Sequence, residues 1–177
     1  MSGRATSLAV VFLLLLSPDD ASSQQEDPWH ELRVEALGFS VDLPGRPEFL
    51  TKTFSTLLGT VKESAYRTRF DGGLFSVELH ELPGLTRWAP AHLVLERAGN
   101  EVVADRLGEE LSSRSVRVRG HPGRVVTFRS PESGYAIEEA HLVLAGSRLF
   151  LLTAGLAKEG GDRSALDRFF GSFRIRK

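Results

Sequence analysis

The chain has 177 residues, 41% of them hydrophobic, with 22 basic and 23 acidic side chains and a formal net charge of −1. So even a balance excludes a general binder of nucleic acid or anionic membrane, which needs a basic excess. The absence of cysteine excludes disulfides, thiol nucleophiles, cysteine-held metals and a lipid-modified cysteine anchor.

Residues 1–23 read as a cleavable export signal. Arg4 and the amino terminus supply positive charge, and Leu8 to Leu16 is an unbroken apolar run. Ser17-Pro18 ends any helix there, because proline lacks the N–H and clashes with the preceding turn. Ala21-Ser22-Ser23 provides the small residues a signal peptidase accepts, so cleavage is expected near Ser23. A membrane-spanning helix needs roughly 20 apolar residues, and this run ends in Pro-Asp-Asp long before that. The expectation is a soluble, exported protein, periplasmic or extracellular, with no membrane span after cleavage.

Residues 24–29 read as a polar tail, and residues 30–177 as one α+β domain, a size that supports a substantial core. Leu32, Val34 and Ala36 alternate with charged residues, the period-2 signature of a half-buried strand. Gly38 to Leu43 repeats the alternation and stops at Pro44-Gly45, a turn pair. Residues 49–58 and 60–70 predict two further strands. Asp71-Gly72-Gly73 predicts a tight hairpin into a strand over 74–82, since glycine accepts positive φ without a Cβ clash.

The one long helical pattern runs from Ala89 to Leu107, with Pro90 near its start and Gly108 as its αL cap. Gly99-Asn100 inside it predicts a kink or break. Strands return over 110–119 and 124–130, joined by a type II turn centred on Pro122-Gly123. A last hairpin, 135–144 with 149–156, is apolar enough to be covered on both faces. A short helix from Ser164 to Phe170 closes the chain, with Ser164 as its N-cap. Hairpin-linked strands with few helices predict an antiparallel sheet of about six to eight strands, flanked by one long and one short helix.

The chain has no Gly-x-Ser-x-Gly elbow, Ser-x-x-Lys or His-Glu-x-x-His motif and no glycine-rich phosphate loop. No catalytic residue, cofactor or metal is therefore assigned. The candidate binding residues are two Glu-x-His units, Glu78 with His80 and Glu139 with His141. Period 2 places each pair on one sheet face. If the two strands were neighbours and their faces matched, the four side chains would meet and could hold zinc or move a proton. Solvated or arginine-paired residues are the competing reading. Arg114, Arg117 and Arg119 read as a solvated strand, and Trp29, Trp88 and Tyr135 as partly buried core.

Gly-Phe-Ser-Val-Asp-Leu-Pro-Gly (38–45), Gly-His-Pro-Gly-Arg-Val-Val (120–126), Arg-Leu-Phe-Leu-Leu (148–152) and Arg-Phe-Phe-Gly-Ser-Phe-Arg (168–174) resemble the turns and core strands of PsbP-like proteins. These are small exported proteins whose fold is shared with the Ran-binding Mog proteins. The resemblance implies an antiparallel sheet flanked by helices and carries over no reactive group. Family members serve in photosystem assembly, nuclear transport and cell envelopes, so the fold leaves the task open.

Three expectations follow. The first is a non-catalytic envelope protein that binds a protein partner or assists assembly. The second is a carrier of an apolar molecule or lipid in a cleft between helix and sheet. The third is a metal-dependent hydrolase built on the Glu-x-His pairs. Oligomeric state and partner identity are left open.

Overall fold

The computed structural model describes residues 28–56, 59–131, 133–157 and 163–176. The export signal, its cleavage site and most of the polar tail lie outside the described residues.

Among the described residues, ten strands form two antiparallel sheets, and two α-helices pack on them. The small sheet joins β1 (Trp29–Val34), β2 (Phe39–Pro44) and β10 (Arg174–Ile175), with β2 in the middle. The large sheet contains β3 (Glu48–Thr56), β4 (Gly59–Phe70), β5 (Gly73–Glu81), β6 (Glu109–Val118), β7 (His121–Arg129), β8 (Ile137–Ala145) and β9 (Arg148–Leu156). Its order is β3-β4-β5-β9-β8-β7-β6, so β3 and β6 are the edges and β9 is central. The long helix α1 spans Ala91–Asp105 and the closing helix α2 spans Ser164–Ser172.

The alternation read along each strand sorts side chains into two cores. On one face of the large sheet, Phe75, Val77, Leu79, Val143, Phe150 and Leu152 meet Phe39, Val41 and Leu43 of β2 and Leu166 and Phe169 of α2. Phe150 lies edge-on to Phe39 at 5.9 Å, a favoured aromatic geometry. On the opposite face, Val126, Phe128, Leu142, Leu149 and Leu151 meet Leu95 and Val103 of α1. β8 and β9 are thus buried on both sides, as their apolar run predicts.

Four local expectations are corrected. First, α1 runs unbroken through Gly99 from Ala91 to Asp105. That glycine lets the helix approach the sheet, because a Cβ would lie 3.2 Å from Val126 Cγ2. Second, the αL residue after α1 is Leu107 (φ 49°), one place before Gly108. Gly108 N–H donates to the Val103 carbonyl and Leu107 N–H to the Ala104 carbonyl, both at 2.9 Å, which makes a Schellman cap. Third, the β6–β7 turn is Arg119-Gly120, with φ 52° and 86°, and Pro122-Gly123 lies inside β7. Fourth, Ser164 is the first helical residue of α2, and Arg163 occupies the N-cap with no side-chain cap.

Arg114 and Arg117 are exposed on edge strand β6, and Arg119 sits in its turn rather than on the strand. Trp29 packs edge-on against Phe75 at 5.4 Å. Tyr135 covers Gly155, where a Cβ would fall 2.8 Å from the ring. Trp88 departs from the expected burial, since 83% of it is exposed.

Candidate functional site

The two Glu-x-His units lie on opposite faces of the large sheet. In β5, the odd residues Phe75, Val77 and Leu79 enter the core beside α2, so Glu78 and His80 face the α1 side. In β8, Val143 and Ala145 enter the α2-side core, which puts Glu139 and His141 on that side. Both strands pair with β9, and the sheet itself separates the two units. The four-residue site is therefore not formed, and neither is a single metal centre joining the two histidines. The cause is register: Val77, Leu152 and His141 align across the three strands and share one face.

Each unit acquires partners that its own strand does not reveal. On the α2 side, His141 Nε2 is 2.6 Å from Glu139 Oε1, and Arg163 donates to Glu139 Oε2 at 2.6 Å. The His141 ring stacks on Phe170 with 3.7 Å between centroids. The hydrogen bond with His141 lowers the Glu139 carboxyl below its ordinary value; burial opposes this, and Arg163 adds to the lowering. This set ties both ends of α2 to the sheet, through Arg163 just before it and Phe170 near its end.

On the α1 side, β4 brings Glu63 directly opposite His80. Glu63, Glu78 and His80 each offer a ligand atom, and these atoms all lie within 4.8 Å of one another. His80 Nδ1 is 3.8 Å from Glu63 Oε2, and Nε2 is 3.6 Å from Glu78 Oε2. Lys52 on β3 pairs with Glu63 Oε2 at 3.0 Å, and Arg67 on β4 donates to Glu78 Oε1 at 2.8 Å. Ser76 also donates to Glu78 Oε1, at 3.0 Å. Burial raises the Glu78 carboxyl, but His80 and Arg67 together outweigh it and hold the group at about 2. Glu63 escaped the sequence reading, although one signal was present: an acid between Val61 and Ala65, on the apolar parity of its strand.

The space an apolar ligand would need beneath α1 is filled. Leu95, Gly99 and Val103 are buried directly against the sheet. The clefts beside the helix are open surface features of about 540 Å³ each. One lies on the outer side of α1 along Leu93, Arg97 and Glu101; the other lies between its first turns and β6–β7, beside His92, Arg117 and Arg124.

The sheet edges differ. β6 carries a bulge between Glu110 and Ser112 and exposes Arg114 and Arg117, the devices that keep an edge from pairing. β3 pairs residue for residue with β4 from Glu48 to Thr56, without a bulge, and has no partner on its outer side among the described residues. Phe49, Leu50 and Phe54 are 53%, 39% and 39% exposed on it. Phe49 and Leu50 are adjacent, so the edge is apolar on both faces. Its only lysine, Lys52, is drawn over the sheet toward Glu63. The sequence predicts this strand over 49–58 but not its exposure, which follows from its place at the edge of the sheet.

The architecture is an α+β antiparallel sandwich of the PsbP-like type. No protein-family model matches the chain, and no curated protein does. Among solved structures, the chain is similar to the solution structure of cyanobacterial PsbP (CyanoP) from Synechocystis sp. PCC 6803. The TM-score is 0.56 at 15% identity, over 84% of this chain and 93% of that one. At that identity the likeness speaks for the fold. Among the described residues no helix is long and apolar enough to cross a membrane.

Proposed function

We propose that this protein is an exported, non-catalytic accessory module that accepts an extended segment of a protein partner along β3. The observation that carries the reading is the contrast between the two edges. β6 is bulged and charged, whereas β3 is regular, nine residues long and apolar on both faces. An edge strand offers main-chain donors and acceptors that only another extended polypeptide can pair in register; a lipid cannot. Phe49 and Phe54, on opposite faces, would give such a segment apolar contact on either side of its backbone.

The apolar run over residues 8–16 and the small residues before position 24 support export to the periplasm or the exterior. The non-catalytic reading rests on the missing nucleophile motifs and on the ion-paired state of both Glu-x-His units. The PsbP-like fold is compatible with binding without chemistry.

Capture from an envelope extract tests the reading. The protein is compared with a variant carrying Phe49→Asp and Phe54→Asp, both at exposed positions that leave the cores intact. A protein partner retained by the parent and lost by the variant is expected. Co-purification of a lipid with no protein would overturn the reading in favour of a carrier.

A further inference from the structure

The same Glu-x-His spacing has two outcomes in this fold. At Glu139 and His141 the side chains close to a 2.6 Å hydrogen bond. At Glu78 and His80 they do not. His80 Nε2 stops 3.6 Å from the carboxylate, is shielded from solvent and has no hydrogen-bond partner. A shielded imidazole nitrogen left without a partner costs free energy, and such atoms are uncommon. Here it stands beside two carboxylates that are each nearly buried, Glu63 at 5% and Glu78 at 6% exposure.

The spacing suits a metal better than a proton. Zinc binds nitrogen and carboxylate oxygen at about 2.0–2.2 Å in tetrahedral geometry, which places neighbouring ligand atoms roughly 3.3–3.6 Å apart. The 3.6 Å between His80 Nε2 and Glu78 Oε2 is close to that edge length, whereas Glu63 lies nearest the other ring nitrogen, 3.8 Å from Nδ1. With one atom taken from each side chain, all three lie within 4.8 Å of one another, so a turn of the Glu63 carboxylate toward the shared nitrogen completes the set. One imidazole with two carboxylates is a donor set that accepts zinc as well as iron or manganese, and the imidazole counts against magnesium and calcium. We propose that Glu63, Glu78 and His80 bind one divalent zinc-class cation, through one imidazole nitrogen and one oxygen of each carboxylate, with a fourth position open to water.

The charges agree with this assignment. Two carboxylates neutralise a divalent ion. Arg67 holds Oε1 of Glu78 and leaves Oε2 for the metal. Lys52 occupies Glu63 Oε2, but its side chain is 63% exposed and free to turn into solvent. Lys52 is then the internal competitor of the metal. Bound metal would join β4 to β5 and release Lys52 on the neighbouring edge strand. The inference stands independently of the partner reading, since it concerns a different ligand and different residues.

The test is titration of chelator-stripped protein with zinc chloride, followed by calorimetry, and with cobalt(II), followed by its visible absorption. One equivalent of each metal is expected, with tetrahedral-type cobalt bands and a zinc-dependent rise in melting temperature. His80→Gln and Glu63→Gln should each weaken uptake at least tenfold, with folding checked by circular dichroism. Lys52→Met leaves all three ligands in place and should bind zinc more tightly than the parent; this variant keeps the test decisive if either of the others fails to fold. No uptake by the folded parent, uptake undiminished by His80→Gln and Glu63→Gln, or weaker binding by Lys52→Met would overturn the assignment.

Discussion

Replacing Arg106 with methionine isolates one charge at the centre of the fold. Arg106 closes the C-terminal end of α1, and its guanidinium pairs with Glu138 of β8. The Glu138 side chain is only 1% exposed, and its other oxygen, Oε1, has no hydrogen-bond partner. Arg106→Met therefore leaves a carboxylate inside the protein with no compensating charge. Removing one partner of a buried pair costs about 3–5 kcal/mol, while replacing both by apolar side chains is near neutral. With a urea dependence of about 2 kcal/mol per molar, the single substitution should lower the unfolding midpoint by roughly 1.5–2.5 M. Arg106→Met with Glu138→Met should return to within about 1 kcal/mol of the parent. The assay is equilibrium urea unfolding followed by circular dichroism on all four members of the cycle. The reasoning is refuted if the single variant loses less than about 1 kcal/mol, or if the double variant is as unstable as the single one.

Gly123→Ala should destabilise by about 1–3 kcal/mol, because the new Cβ would sit 2.7 Å from the Leu142 carbonyl oxygen and β7 must shift. Gly171→Ala, with open space around it at the end of α2, should leave stability unchanged or raise it by up to about 1 kcal/mol in the same assay. Glu139 has a folded-state value below its ordinary 4.5, so its contribution is complete above that value and is lost as pH falls through the lowered one. Urea midpoints of the parent and Glu139→Gln should differ at neutral pH and converge in acid. Mass spectrometry of the protein recovered from the periplasm or medium should give a mature amino terminus near Gln24, and an intact amino terminus there would contradict export with cleavage.

The strands and their core faces were readable because alternation and turn chemistry agreed. Asp71-Gly72 takes φ of 46° and 70°, the hairpin geometry its glycine signals. Glycine was misleading where it served proximity instead of positive φ. Gly123 sits in a strand because the neighbouring backbone leaves no room for a Cβ, and Gly99 sits in a helix for the same reason against Val126. Neither neighbour is close in sequence. The candidate site was half legible. Spacing put Glu78 with His80 and Glu139 with His141, each on one face, as the structure shows. Whether the two faces coincide depends on how β5 and β8 register on β9, which no local pattern encodes. Glu63 joins His80 only through the β4–β5 register. The β3 strand was legible over 49–58, but its place at a sheet edge follows from the strand order, which no local pattern encodes.

The most direct measurement is site-specific photo-crosslinking from the two sheet edges in the native envelope. A photoreactive residue replaces Leu50 on β3 in one version of the protein and Arg114 on β6 in another. The account predicts a protein adduct from position 50, abolished by Phe49→Asp with Phe54→Asp, with the partner's attachment site in an extended segment and β3 amides newly protected from hydrogen exchange. Equal adducts from both edges, or adducts from position 114 with none from position 50, would contradict it.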